Sequence, residues 1–130
     1  MSPAGIRRRR TIEFADTDAS GRAHFTALLR HVEAVEHEWL RELGLPVLDA
    51  RGGWPRVRVE CDFRAPLAAG DEVEVFVGVE DVGGSSVVWS FGIFSPDGGT
   101  AAEGRMTTVW VGADGKPAPI PPEWRKRLTG

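Results

Sequence analysis

The sequence predicts an α+β fold, a five-stranded antiparallel sheet wrapped around one long central helix, and three observations carry it. Between Phe25 and Leu43 the apolar residues Leu28, Val32, Val35, Trp39 and Leu43 recur at spacings of three and four, which puts them on one face of a helix. From Arg56 onward come four runs rich in Val, Phe and Trp, each ended by a turn signal, and one short run precedes the helix. A helix this apolar on one side needs cover, and one helix covers only one face of five strands, so the sheet curls around it.

The elements follow in chain order. Ile6 to Phe14 reads as a partly exposed strand, with Arg8, Arg10, Ile12 and Phe14 on one side and Arg7, Arg9, Thr11 and Glu13 on the other. The segment ADTDASG, Ala15 to Gly21, is loop chemistry, because Asp and Ser bond local backbone and Gly accepts positive φ. The helix has a stop signal in Gly44 with Pro46 two residues beyond. After a Gly-rich connection at Gly52 and Gly53, strands are expected over roughly Arg56 to Arg64, Glu72 to Val82, Ser85 to Ser95 and Ala101 to Val111, consecutive antiparallel neighbours. Pro121 and Pro122 before EWRKRL mark a final short helix. Residual apolar sheet surface and an unpaired edge favour a second copy, so at least a homodimer, or a homotetramer, is expected.

Composition bounds the partners. At 130 residues the chain is one domain long, residues 1–130, with 42% hydrophobic and 27% charged residues, in the range of folded globular proteins. Sixteen basic residues stand against 19 acidic ones, a net charge of -3, so there is no general positive field for nucleic acid or an anionic membrane. Cys61 is the lone cysteine and cannot form an internal disulfide, which fits a reducing compartment. No segment approaches the ~18 apolar residues of a spanning helix, and a cytoplasmic protein is expected.

The stretch FADTDASGRAHFTALLRHVEAVEHEWLRELGL, Phe14 to Leu45, resembles the hot-dog thioesterase family typified by 4-hydroxybenzoyl-CoA thioesterase, with its Asp-Thr-Asp-x-x-Gly loop running into a long helix that carries a mid-helix glutamate. DFRAPLAAGDEVEV, Asp62 to Val75, is similar to the family's aromatic-x-x-Pro-Leu…Gly-Asp turn, and TAAEGRMTTVWVGADGKPAPIP, Thr100 to Pro121, to its last strand and Pro-rich tail. The resemblance runs in order along nearly the whole chain, which makes it more specific than a bare Asp-x-Asp loop. It implies a hot-dog fold, a cleft at a dimer interface, and cofactor-independent hydrolysis of acyl thioesters carried by coenzyme A or an acyl carrier protein.

Position by position, the resemblance makes Asp18 the nucleophile or general base, the backbone N–H of Phe25 the donor to the thioester carbonyl, Gly21 the residue that lets the loop pass close to substrate, and Asp16 a loop-stabilising aspartate. The chemistry fits these residue types: a carboxylate attacks or deprotonates water, and free N–H groups at a helix head receive negative charge. Aspartates in such loops also cap helices and close Asx-turns, so the residue type alone does not decide. His24 is a further candidate, to orient water or assist the leaving thiolate, and Glu33 is the alternative helical carboxylate. His31, Glu33 and His37 do not share a helix face, so no metal site is expected.

For substrate binding, Arg64 is a candidate partner for coenzyme A phosphates or an acidic carrier, as are Arg7 to Arg10, Arg56 and Arg58. Trp54, with Trp39, Trp89, Trp110 and Phe63, is a candidate to wall an acyl pocket, although aromatics at such positions commonly form core. The turn VGGSS, Val82 to Ser86, departs from the family pattern by lacking a basic residue, which leaves Ser85, Ser86 and backbone N–H groups as its phosphate-binding candidates. The absence of tyrosine points to an aliphatic or simple aromatic acyl group. The competing readings are a non-catalytic acyl-thioester-binding domain and, last, an enoyl-thioester hydratase or dehydratase.

Overall fold

The computed structural model describes residues 4–130. Strand β1 (Ala4–Thr11) leads through a 3₁₀ turn (Phe14–Asp16) to helix α1 (Phe25–Glu42). The short strands β2 (Leu48–Asp49) and β3 (Gly52–Gly53) come next, then β4 (Arg56–Phe63), β5 (Glu72–Val82), β6 (Ser86–Phe94), β7 (Thr100–Val109), β8 (Val111–Gly112) and helix α2 (Pro122–Thr129). The main sheet has the order β1-β5-β6-β7-β4, antiparallel throughout.

Alternation along β5 and β6 turns Val73, Val75, Val77, Val87, Trp89, Phe91 and Ile93 inward, where they are buried with Leu28, Val32, Val35 and Trp39 of α1. The sheet wraps the central helix, as the sequence predicts. At the core's centre Trp39 meets the ring of Trp89 edge-on at 6.1 Å, and the Trp89 indole N–H donates to Thr108 Oγ1 at 2.9 Å, so its one polar atom is satisfied in the interior. The helix ends as expected: Gly44 adopts φ +75°, its N–H donates to the Arg41 carbonyl and that of Leu45 to the Leu40 carbonyl, a Schellman motif sealed by buried Leu40 and Leu45.

Three features differ from the sequence reading. β1 spans Ala4–Thr11 rather than reaching Phe14, so Ile12 is buried while Phe14, expected on the same side of the strand, opens the 3₁₀ turn and is 86% exposed. The connection at Gly52 and Gly53 is part of a second small sheet, β2-β3-β8. Gly52 is required there, because a Cβ on it would sit 1.9 Å from the Val111 carbonyl oxygen. The aromatic cluster Trp54, Trp110 and Trp124, with ring centroids 4.9–6.3 Å apart, packs α2 against this small sheet.

Candidate active site

The site begins with the loop between β1 and α1, which is held shut by its own backbone. Asp16 anchors it twice: its carboxylate accepts the Glu13 N–H at 2.8 Å, and its carbonyl accepts the His24 N–H at 2.8 Å. Beyond it the Asp18 N–H donates to the Arg22 carbonyl and the Gly21 N–H to the Asp18 carbonyl, a tight turn that Gly21 permits at φ +81°. The Ala23 N–H donates to the Leu67 carbonyl at 2.7 Å, tying the loop to the β4–β5 connection. His24 then caps α1, its Nδ1 accepting the Thr26 N–H at 3.2 Å.

This scaffold leaves two groups open. One oxygen of Asp18, Oδ1, accepts from the Ser20 N–H and hydroxyl, while Oδ2 has no hydrogen bond among the described residues. The Ser20 hydroxyl, the Ser20 N–H and the nearby His24 hold the Asp18 carboxyl below its ordinary value, so it is ionised at neutral pH. The Phe25 N–H, at the first position of α1, likewise has no acceptor among the described residues, and it carries the positive end of the helix dipole. Both residues line one cleft of about 360 Å³, together with Ser20, Leu28, Phe63, Arg64 and Leu67. Phe25 and Phe63 meet edge to face at 6.1 Å on its wall.

The remaining sequence candidates fall in different places. Gly21 is exposed in the Asp18 turn. Arg64 stands at the cleft, half-exposed, bonded to Glu103 at 3.0 Å. Glu33 is not in this cleft: it bonds Arg56 at 2.9 Å beside a separate hollow of about 230 Å³ lined by Thr26, Leu29, Arg30, Val59 and Met106. Trp54 is buried at the other end of α1, its indole N–H donating to the Pro46 carbonyl. Ser85 and Ser86 form the β5–β6 hairpin at the far end of β5, their carbonyls accepting from Trp110 and Gly83. A basic residue does reach that turn, from α2: Arg125 donates to the Val82 and Gly83 carbonyls at 3.1 and 2.8 Å.

Two groups escaped the sequence reading. The segment Ala65–Leu67 lines the cleft, and the Pro-Leu motif was its signal. Glu36 is wholly buried on α1; burial pushes its carboxyl up to about 7 against the pull of Arg56, whose Nη1 donates to Oε1 at 2.9 Å. Its other oxygen has no hydrogen-bond partner among the described residues. In a helix of alternating charges nothing separates Glu36 from its solvated neighbours until the sheet is wrapped around it. Among the described residues no cluster of His, Cys, Asp and Glu is arranged to hold a metal ion, and no helix is long and apolar enough to cross a membrane.

Comparison with known proteins supplies the context for this geometry. The family model described as the thioesterase-like superfamily matches residues 12–128. The chain is similar to a protein named a putative esterase from Aquifex aeolicus, 29% identical over 118 residues, 88% of this chain and 91% of that one. It is also similar to a 1,4-dihydroxy-2-naphthoyl-CoA hydrolase from Synechococcus, 37% identical over 71 residues, 48% of each chain. Among solved structures, a gentisyl-coenzyme A thioesterase superposes with a TM-score of 0.86 at 26% identity, over 95% of this chain and 99% of that one. The chain therefore belongs to the thioesterase-like superfamily, and is a hot-dog-fold enzyme that hydrolyses thioesters.

Proposed function

We propose that Asp18 is the catalytic carboxylate of this enzyme, that the Phe25 N–H receives the charge on the thioester carbonyl oxygen, and that the substrate is an acyl-coenzyme A. The observation that carries this reading is the pairing, in one cleft, of an ionised carboxylate with a free oxygen and a helix-head N–H with no acceptor among the described residues. Asp18 Oδ2 either attacks the carbonyl carbon or takes a proton from a water that does. In both cases the tetrahedral oxyanion lies against the Phe25 N–H, the C–S bond breaks, and the thiolate leaves to be protonated from solvent; where Asp18 itself attacks, the acyl group is left on its carboxylate as a mixed anhydride, which a water then cleaves to free acid and the restored carboxylate. His24, capping the helix beside Phe25, holds that N–H in place through its own backbone.

The relatives named for 1,4-dihydroxy-2-naphthoyl-CoA and gentisyl-coenzyme A support an aromatic acyl group, and the Phe25–Phe63 wall offers it an edge-to-face surface. Arg64 at the cleft can pair a phosphate or an acidic carrier by exchanging Glu103. The working form we propose is a homodimer joined along the open β4 edge.

Asp18→Asn preserves shape and removes the charge. Release of free thiol from aryl- and alkanoyl-CoA substrates is expected to fall roughly 10²–10⁴-fold in this variant. Undiminished hydrolysis would remove Asp18 from the reaction.

A further inference from the structure

We infer that His31, buried on the second turn of α1, is a positioning residue for this hydrolysis, acting through Asp16 on the loop that carries Asp18; the inference rests on the catalytic reading above. His31 is 6% exposed, and both of its ring nitrogens are engaged. Arg10, reaching in from β1, donates its Nε–H to His31 Nδ1 at 2.8 Å. A guanidinium has donors only, so Nδ1 must be the acceptor and the ring proton sits on Nε2. That proton points at Asp16 Oδ2, 2.8 Å away.

Asp16 is where the loop is held. The carboxylate oxygen that takes the His31 proton also takes the Glu13 N–H, and the carbonyl of the same residue takes the N–H of His24, next to the Phe25 amide. Asp18 follows two residues later. The chain Arg10, His31, Asp16 thus runs from β1 through the body of the helix to a residue that ties the carboxylate loop to the helix head. Burial alone would push the Asp16 carboxyl up, but the Glu13 N–H, His31 and the Arg30 guanidinium, 3.9 Å from its Oδ1, outweigh it and hold the group ionised. A loop freed from this anchor keeps Asp18 and Phe25 but loses their relative placement, and displacement of a reacting group by ~1 Å can cost about 10²-fold in rate.

Three variants separate the two bonds of the ring. His31→Gln places an N–H near the Nε2 position and keeps the bond to Asp16. His31→Asn can satisfy Arg10 but falls short of Asp16, and His31→Leu loses both. Thiol release is measured for each beside Asp18→Asn, with circular dichroism and melting as checks on folding. The expected result is a kcat lowered by about 10²-fold in His31→Asn and His31→Leu with KM little changed, and recovery of most of it in His31→Gln. In the ¹H–¹⁵N spectrum of the wild type the His31 ring should carry its proton on Nε2, a readout independent of turnover. Wild-type kcat in a folded His31→Leu, a folded His31→Gln no faster than His31→Leu, or a proton on Nδ1 overturns the inference. If Asp18→Asn is inactive while the His31 variants are not, the positioning role alone fails; if Asp18→Asn is fully active, the catalytic reading fails with it.

Discussion

Glu36 sits in the interior with one oxygen paired to Arg56 and the other, 4.0 Å from His37 Nε2, without a hydrogen bond among the described residues. Desolvation raises its carboxyl from 4.5 to about 7 because the charged form loses water that one guanidinium does not replace. The folded chain therefore keeps the Glu36 proton up to about pH 7, while the unfolded chain releases it near 4.5. Folding takes up a proton across that window, so the contribution of Glu36 to stability is full below pH 4.5 and is lost as pH rises through 7, by up to about 3 kcal/mol. Glu36→Gln carries no such titration. Chemical denaturation of both proteins from pH 5 to pH 8 should show the wild type losing ground to Glu36→Gln as pH rises. An equal gap at both ends of the range would refute the assignment. The legibility of residues divides along the same line. Asp18 and Phe25 were singled out by the resemblance of one short stretch, Phe14 to Leu45, to a family motif, and a loop followed by a helix start is a signal contained in that stretch. Glu36 and the bonds of His31 depend on Arg56 and Arg10, which distant strands bring to the helix.

At the level of elements, Arg56 is the tie between α1 and the edge strand β4. Its Nη1 donates to Glu36 and its Nη2 to Glu33, one turn apart on the helix, and Nη1 also lies 3.1 Å from Met106 Sδ on β7. Without Arg56 the buried Glu36 carboxyl keeps its proton but loses its hydrogen-bond partner, so Arg56→Leu is expected to cost roughly 1–3 kcal/mol. Arg56→Leu with Glu36→Leu should recover much of that loss, because two apolar side chains then replace the buried pair. Urea titrations of the two single variants and the double check this; a double variant as unstable as the sum of the singles would show that the pair does not act as a unit. The long elements themselves were legible from periods of 3.6 and 2, and their observed ends lie within a few residues of the expected ones. The sheet β2-β3-β8 was not, since two-residue strands have no period and Gly52 is selected by its approach to the Val111 carbonyl rather than by a turn.

At the level of the whole molecule, one helix serves five strands, and the cover runs out at β4. This strand pairs only with β7 among the described residues. Beyond an irregularity at Arg56–Arg58, Val59 and Phe63 share the face that borders α1, yet they are 41% and 48% exposed. Phe25, 54% exposed, lies against Phe63 at the same margin. An open backbone edge and an apolar stripe together are what a self-complementary interface buries, and a two-fold axis lets the same strand serve both copies. The stripe ends in the cleft that Asp18, Phe25 and Phe63 line, so an interface formed there would share residues with the candidate site. Val59→Asp places a charge in the stripe at a position where the side chain is not core. Size-exclusion chromatography with light scattering is expected to show a dimer for the wild type and for Asp18→Asn, and a monomer for Val59→Asp with an unchanged circular dichroism spectrum. Thiol release by the Val59→Asp monomer should fall although Asp18 is intact. A monomeric variant that hydrolyses at the wild-type rate would show that each chain holds its site alone, and a wild type that is itself monomeric would leave the β4 stripe without the role assigned to it.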